Sequence, residues 1–179
     1  MNTFASLAVT LRPVIESDLA IVRFWRNHPD VRSYMYTQHE ISEAEHSAWF
    51  KRSQVNLFRH LLLAERDGQP FGFVNIEQVD VDAKRAEWGF YLAPESPKGS
   101  GQALGLAALT YAFGTLAQHK LCGEALASNQ RSRRFHERLG FTAEAHLRDH
   151  HFDGHTYHDV IGYGLLRSEW QAHQGAYVL

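Results

Sequence analysis

The turn Pro97-Lys98-Gly99-Ser100-Gly101-Gln102-Ala103-Leu104 sets two glycines around a serine at the start of an apolar helical run. Glycines let backbone N–H groups come close to an anion, and a helix N-terminus behind them adds its dipole, so this turn is a candidate phosphate cradle. The same G-x-G also suits a plain helix-starting turn. A second constellation lies in the first third of the chain, running from Trp25-Arg26 through Arg32, Met35 and Tyr36 to Glu45-His46 and Trp49-Phe50. Arg26 and Arg32 have the chemistry to hold a diphosphate or a carboxylate. Met35, Tyr36, Trp49 and Phe50 offer soft or flat apolar surfaces for a ring. His46 shares one helical face with Trp49 and Phe50. Two aromatic residues at this spacing would equally serve to bury a helix, with the arginines in solvent.

These groups need elements to position them. Thr10–Pro13 reads as a first strand, and Ser17-Asp18 as the cap of a helix carrying Leu19, Val22 and Arg26. Asn27-His28-Pro29-Asp30 breaks that helix. Ser42-Glu43-Ala44-Glu45 fits a capping box that opens a second helix, ending near Gln54. Leu61–Glu65 and Phe71–Ile76 read as strands around an Asp67-Gly68 hairpin signal, and Ala83–Leu92 as another. Gly101–Ala117 reads as a long helix, Leu121–Ala127 as a strand, Gln130–Leu139 as a helix, and Phe141–Phe152 and Tyr157–Leu165 as strands joined by Asp153-Gly154. The tail holds a short polar segment around Ser168–His173.

The chain has 179 residues, 44% hydrophobic and 21% charged, with a formal net charge of −2. That is the composition of one globular domain, 1–179, long enough for a real core. The charge gives no argument for nucleic acid or an anionic membrane. No basic leader and no apolar run of about 20 residues is present, so a cytoplasmic protein is expected. The single Cys122 is expected to be a buried, unreactive thiol. His146, His150, His151, His155 and His158 crowd the last hairpin, but Asp153-Gly154 interrupts them and no zinc-like ligand order emerges, so no metal is expected.

Downstream of the glycine turn, the stretch Asn129-Gln130-Arg131-Ser132-Arg133-Arg134-Phe135-His136-Glu137-Arg138-Leu139-Gly140-Phe141 completes a pattern. Together the two segments resemble the acyl-CoA site of the GCN5-related N-acetyltransferases (GNAT). The resemblance implies an α/β (α+β) fold, a mixed, mostly antiparallel central sheet of about seven strands flanked by about four helices. It implies acetyl-CoA as co-substrate, its pyrophosphate cradled by Gly99, Ser100, Gly101, Gln102 and Ala103. In such a fold the strand Glu87–Ala93 splays from its neighbour and pairs with the pantetheine arm, and an N–H near Tyr91 or Leu92 faces the oxyanion. Asn129 and Ser132, which begin this helix, would bind the cofactor, Asn129 bonding the pantetheine unless it serves as a cap alone, and Phe135 would pack near the cofactor. Ser96 stands where the family usually has Gln or Arg. His136 stands where many members carry a tyrosine near the sulfur, as proton donor or simply as pocket lining. Glu87 is the carboxylate best placed to take the amine proton, directly or through water, unless it is a plain strand carboxylate.

The W-R-N-x-x-x-V-R-x-x-M run followed by I-S-x-x-E-H-x-x-W-F resembles, more narrowly, the PseH-type sugar-nucleotide acetyltransferases of pseudaminic acid biosynthesis, which supply flagellin glycans. That implies transfer to the 4-amino group of a UDP-linked amino-dideoxy sugar bound by Arg26, Met35, Tyr36, His46, Trp49 and Phe50. Phe152–Trp170 is similar to the terminal hairpin of the ribosomal-protein alanine N-acetyltransferases. A RimJ/RimL-like protein N-terminal acetyltransferase therefore stays open, as does a non-catalytic acyl-CoA sensor in which His136 marks a lost proton relay. Partners expected are the nucleotide sugar and a second copy of the chain as a homodimer, with neither nucleic acid nor membrane.

Overall fold

The computed structural model describes residues 9–173. In chain order it runs β1 (Val9–Pro13), α1 (Leu19–Asn27), α2 (Pro29–Arg32), α3 (Glu43–Gln54), β2 (Arg59–Arg66), β3 (Gln69–Asp80), β4 (Arg85–Leu92), α4 (Ser100–Thr110), β5 (Lys120–Leu126), α5 (Gln130–Arg138), β6 (Thr142–Phe152), β7 (Tyr157–Leu166) and α6 (Arg167–His173). The strands form one mixed sheet in the order β1-β2-β3-β4-β5-β7-β6, with every pair antiparallel except β4–β5. This is the expected mixed, mostly antiparallel α/β sheet.

Strand alternation separates two cores. Leu62, Ala64, Val74, Ile76, Ala86, Trp88 and Leu121 pack against Leu104, Ala108 and Leu109 of α4 on one face. Leu61, Leu63 and Phe73 point the other way, onto Val22 and Trp25 of α1 and Phe50 of α3. Because the side-chain period of a strand is two, these assignments fix the face of every other residue in the central strands. Along β4, Glu87, Gly89 and Tyr91 face α1–α3. Along β5, Cys122 and Glu124 do the same, while Gly123 faces α4 and α5.

Local signals account for most boundaries. Asp67 and Gly68 both take positive φ, 51° and 73°, as a two-residue hairpin turn requires. Asp153 accepts the N–H groups of His155 and Thr156, closing the β6–β7 turn, and Gly154 takes φ 99°. The Ser42 capping box forms only by half. The Ser42 hydroxyl accepts the Glu45 N–H at 3.2 Å, but the Glu45 carboxylate turns to His39.

Four expectations shift. The Pro29 break carries a short helix, α2, because proline suits a helix's first turn. The expected Gly101–Ala117 helix is α4 followed by a π turn over Tyr111–Thr115. Ala83 and Lys84 belong to a turn rather than to β4, with Lys84 at φ 51°. The polar tail segment is helix α6, anchored by buried Trp170. Among the described residues no helix is long and apolar enough to cross a membrane.

Candidate acyl-CoA and acceptor site

Gly99 caps α4 in the left-handed region, φ 91°, where a side chain would be strained. The Ser100 N–H turns back to the Pro97 carbonyl at 3.1 Å, and the Ala103 N–H reaches the Gly99 carbonyl at 3.2 Å. The Gly101 and Gln102 N–H groups sit in the first turn, where a helix offers them no acceptor of its own. The Ser100 side chain is fully buried, and its hydroxyl has no partner. Ser96, in place of the usual Gln or Arg, donates its hydroxyl to the Phe71 carbonyl at 3.0 Å and so ties the approach to the turn onto β3. A Cβ placed on Gly101 would lie 3.6 Å from Phe135 and 3.7 Å from Leu92. The glycine turn, the end of β4 and α5 therefore meet at one place. Asn129 caps α5, its Oδ1 accepting the Ser132 N–H at 3.0 Å, which leaves its amide N–H₂ to donate elsewhere.

Among the described residues, β4 and β5 pair only across Arg85–Glu87 and Lys120–Cys122. Beyond Glu87 and Cys122 the strands part, leaving a wedge of unpaired backbone. Its donors follow from the ladder. The Ala93 N–H bonds the Phe71 carbonyl at 2.8 Å. Backbone direction alternates, so Tyr91 also bonds toward β3, and the Leu92 N–H points into the wedge. The sequence left Tyr91 and Leu92 as equal choices, and the register selects Leu92.

Of the two roles open to His136, its surroundings fit pocket lining better than proton donation. It is 1% exposed, stacked on Tyr163 at 4.7 Å and ringed by Trp88, Phe90, Phe135 and Phe141. Its Nδ1 lies 2.9 Å from the Ser132 carbonyl, which can only accept, so Nδ1 carries the ring proton. Burial pushes its pKa down to about 4, and the Ser132 contact offsets this only in part. At neutral pH the ring is uncharged, its only N–H is already engaged, and Nε2 has no proton to return to a thiolate. His136 instead braces the wedge from behind. Gly123 permits this, since a Cβ there would lie 2.7 Å from both His136 Nε2 and Trp88 Nε1. Gly123→Ala is expected to lower stability by about 1–3 kcal/mol through overpacking, read as the midpoint of urea unfolding at unchanged slope.

The candidate acceptor face is the α1–α3 side of the wedge. Glu87 is exposed, with Arg85 3.9 Å away. Glu124, which the sequence reading did not single out, lies on the same face and accepts the Tyr36 hydroxyl at 2.5 Å. Its one signal was a lone carboxylate in the apolar run Leu121–Ala127. Tyr91 stacks on Phe73 at 4.9 Å, and Trp49 meets the edge of Phe73 at 6.0 Å. Arg26 donates Nη2 to the Thr37 carbonyl at 2.9 Å, while its Nη1 is buried without a partner. Tyr91, Arg32 and Glu45 are its charged or titrating neighbours, and burial lowers the guanidinium's pKa. His46 is buried and stacked on Trp49 at 5.0 Å. Burial first, then Arg23 and Arg26, push its pKa down. Met35 is half-buried in the α2–α3 connection. The Tyr36 ring is stacked on His151 at 4.5 Å, so one of its faces is already taken.

Phe50 does not join this face. It is 4% exposed in the core with Val22, Trp25 and Leu63, because α3 packs on the sheet through that side chain while Trp49, one position earlier, stays half-exposed. Cys122 is half-buried, and burial raises its thiol pKa. Among the described residues no three His, Cys, Asp or Glu side chains gather as a metal site. His146 and His158 pair with Asp159 and Asp153.

A glycine cradle at a helix N-terminus beside a wedge in a mixed sheet is the donor-site architecture of acetyl-CoA enzymes, and the family comparison agrees. Residues 8–142 match the acetyltransferase (GNAT) domain model. The chain belongs to the GNAT family of acetyltransferases, which draw their acetyl group from acetyl-CoA. It is 33% identical over 106 residues to a putative ribosomal N-acetyltransferase, YdaF, of Bacillus subtilis, and that match spans 59% of this chain and 58% of the relative. It is 28% identical over 125 residues to the acetyltransferase PseH of Campylobacter jejuni, spanning 70% of this chain and 77% of the relative. The crystal structure of spermidine N-acetyltransferase from Vibrio cholerae in complex with CoA and spermine is similar with a TM-score of 0.84 at 25% identity, covering 91% of this chain and 98% of that one.

Proposed function

We propose that the chain moves the acetyl group of acetyl-CoA onto the amine of a UDP-linked amino-dideoxy sugar. In this reading Gly99–Ala103 hold the pyrophosphate through backbone N–H groups, and the Asn129 amide and the free edge of β4 hold the pantetheine. Phe135 packs alongside. The amine nitrogen attacks the thioester carbonyl carbon, the carbon–sulfur bond breaks, and CoA leaves as thiolate. The Leu92 N–H faces the oxygen on which charge develops. Glu87 or Glu124, directly or through water, takes the proton the amine must lose.

The observation that carries the sugar-nucleotide reading is the buried, unpartnered Nη1 of Arg26, set beside Tyr91 and with Arg32 near. A guanidinium with a free donor suits a diphosphate, and Trp49 and Tyr91 offer rings beside it. A polycation would meet Arg23, Arg26 and Arg32 on its way in. A second reading, a polyamine acceptor, is favoured by the two carboxylates Glu87 and Glu124 at the wedge and by the likeness to the spermidine enzyme.

The test is CoA release with a UDP-4-amino-dideoxy sugar, with spermidine and with short peptides bearing free N-termini. The sugar nucleotide is expected to turn over fastest. Arg26→Ala is expected to raise its KM about tenfold or more while leaving the KM for acetyl-CoA unchanged. Turnover on spermidine alone would replace the sugar with a polyamine. Turnover on peptides alone would make the chain a protein N-terminal acetyltransferase, and turnover on none of the three would leave an acyl-CoA-binding sensor.

A further inference from the structure

The connection between α2 and α3, residues 33–42, spans the acceptor face and is tied down at its middle and near its α3 end. The Asn27 amide brackets Ile41, donating Nδ2 to its carbonyl at 2.9 Å and accepting its N–H on Oδ1 at 2.8 Å. Arg26 holds the Thr37 carbonyl. Immediately before the Thr37 anchor, Tyr36 crosses the wedge to β5, 88 residues away in sequence, and donates its hydroxyl to Glu124 Oε2. Its ring rests on His151 of β6, which in turn lies 6.3 Å from the His158 ring of β7. One tyrosine thus joins the α2–α3 connection, β5 and the β6–β7 hairpin at the mouth of the wedge.

We propose that Tyr36 is a positioning residue for Glu124, fixing one carboxylate oxygen so that the other is presented to the incoming amine. This rests on the reading that the amine enters on the α1–α3 face. The geometry gives three reasons for a role exercised through Glu124 rather than by direct contact with the acceptor. The Tyr36 hydroxyl is spent on the carboxylate. One face of its ring is spent on His151. A free glutamate on a strand would also have several rotamers open to it, and a charge-assisted hydrogen bond at this distance selects one of them. The acceptor therefore meets a carboxylate already aimed, which is how a catalytic geometry gains from its supporting groups. Burial, and then Glu124 itself, raise the Tyr36 phenol pKa, as expected for a hydroxyl that keeps its proton on this contact.

The experiment is a double-mutant cycle on the full chain with Tyr36→Phe, Glu124→Ala and both together, using whichever amine acceptor turns over fastest. Tyr36→Phe keeps the ring on His151 and removes only the hydroxyl. It is expected to lower kcat about tenfold, with little change in the KM for acetyl-CoA. In the Glu124→Ala background the same change is expected to cost less than about twofold, because the group it acts through is gone. Fully additive losses would show Tyr36 acting directly on the acceptor and would overturn the proposal, as would an unchanged kcat in Tyr36→Phe. A tyrosine titration followed by NMR on ring-labelled protein reads the contact without turnover. The Tyr36 phenol is expected to titrate at lower pH in Glu124→Ala than in the wild type, and an unmoved titration would show that the hydrogen bond is absent in solution. Should the acceptor prove to be a polyamine or a peptide, the sugar reading falls while the cycle and the titration still decide the role of Tyr36.

Discussion

Gly101→Asp is expected to weaken acetyl-CoA binding by about 100-fold while leaving the protein at least as stable as the wild type. The two halves of that result have separate causes. Gly101 is not in the positive-φ region, and a Cβ on it approaches nothing closer than 3.6 Å, so the folded chain has room for a side chain. It sits in the first turn of α4, where a carboxylate complements the helix dipole by about 0.3–1 kcal/mol, and replacing glycine lowers the entropy of the unfolded chain. Stability therefore holds or rises. The same carboxylate would stand among the N–H groups that are to receive the pyrophosphate, so like charge meets like charge. Calorimetric titration with CoA and a thermal melt check both parts together. An unchanged affinity would remove the phosphate from this turn, and a collapsed melt would show that Gly101 is needed by the fold itself.

The second large effect concerns His136 and acid. The folded ring takes a proton only near pH 4, whereas an unfolded histidine does so near 6.5. Between those values the unfolded chain binds the additional proton. The stability the neutral ring contributes is thus fully present above about pH 6.5 and is lost as pH falls toward 4, a loss of about 3 kcal/mol from this one group. His46 and His60 are also lowered by burial and add losses of the same sign. Comparison with His136→Phe isolates the ring. The variant's unfolding free energy is expected to fall less between pH 7 and pH 4, by about that same 3 kcal/mol. Parallel curves for the two proteins would show that the ring is protonated in the folded state after all. The variant should also keep its turnover, since the wild-type ring has no proton to give.

Legibility in the sequence followed the range of the forces involved. Backbone-level features could be read because they are local. The positive φ of Gly68 and Gly99, the Asn129 cap and the hairpin turns each depend on a few adjacent residues. The donor half of the candidate site was therefore visible in Gly99–Leu104 and Asn129–Phe135. What escaped depended on contacts between distant segments. Trp49 and Phe50 are neighbours with similar chemistry, and only the docking angle of α3 leaves one half-exposed at the margin of the core and buries the other within it. His136 occupies the position where many family members carry a tyrosine near the sulfur, yet its environment of four aromatic side chains and Tyr163 is assembled from β4, α5, Phe141 just ahead of β6, and β7. That environment decides its protonation. Glu124 gained its place only from the parting of β4 and β5 and from Tyr36, neither of which a linear reading of Leu121–Ala127 reveals. Leu92 was separated from Tyr91 by a single ladder hydrogen bond, Ala93 to Phe71.

The most direct test of the account is a crystal structure of the full chain with CoA. It should show the pyrophosphate on the N–H groups at the start of α4, the pantetheine paired along the free edge of β4 between β4 and β5, and the sulfur near the Leu92 N–H. A CoA whose phosphates lie elsewhere, or whose arm stays outside the β4–β5 wedge, would contradict it.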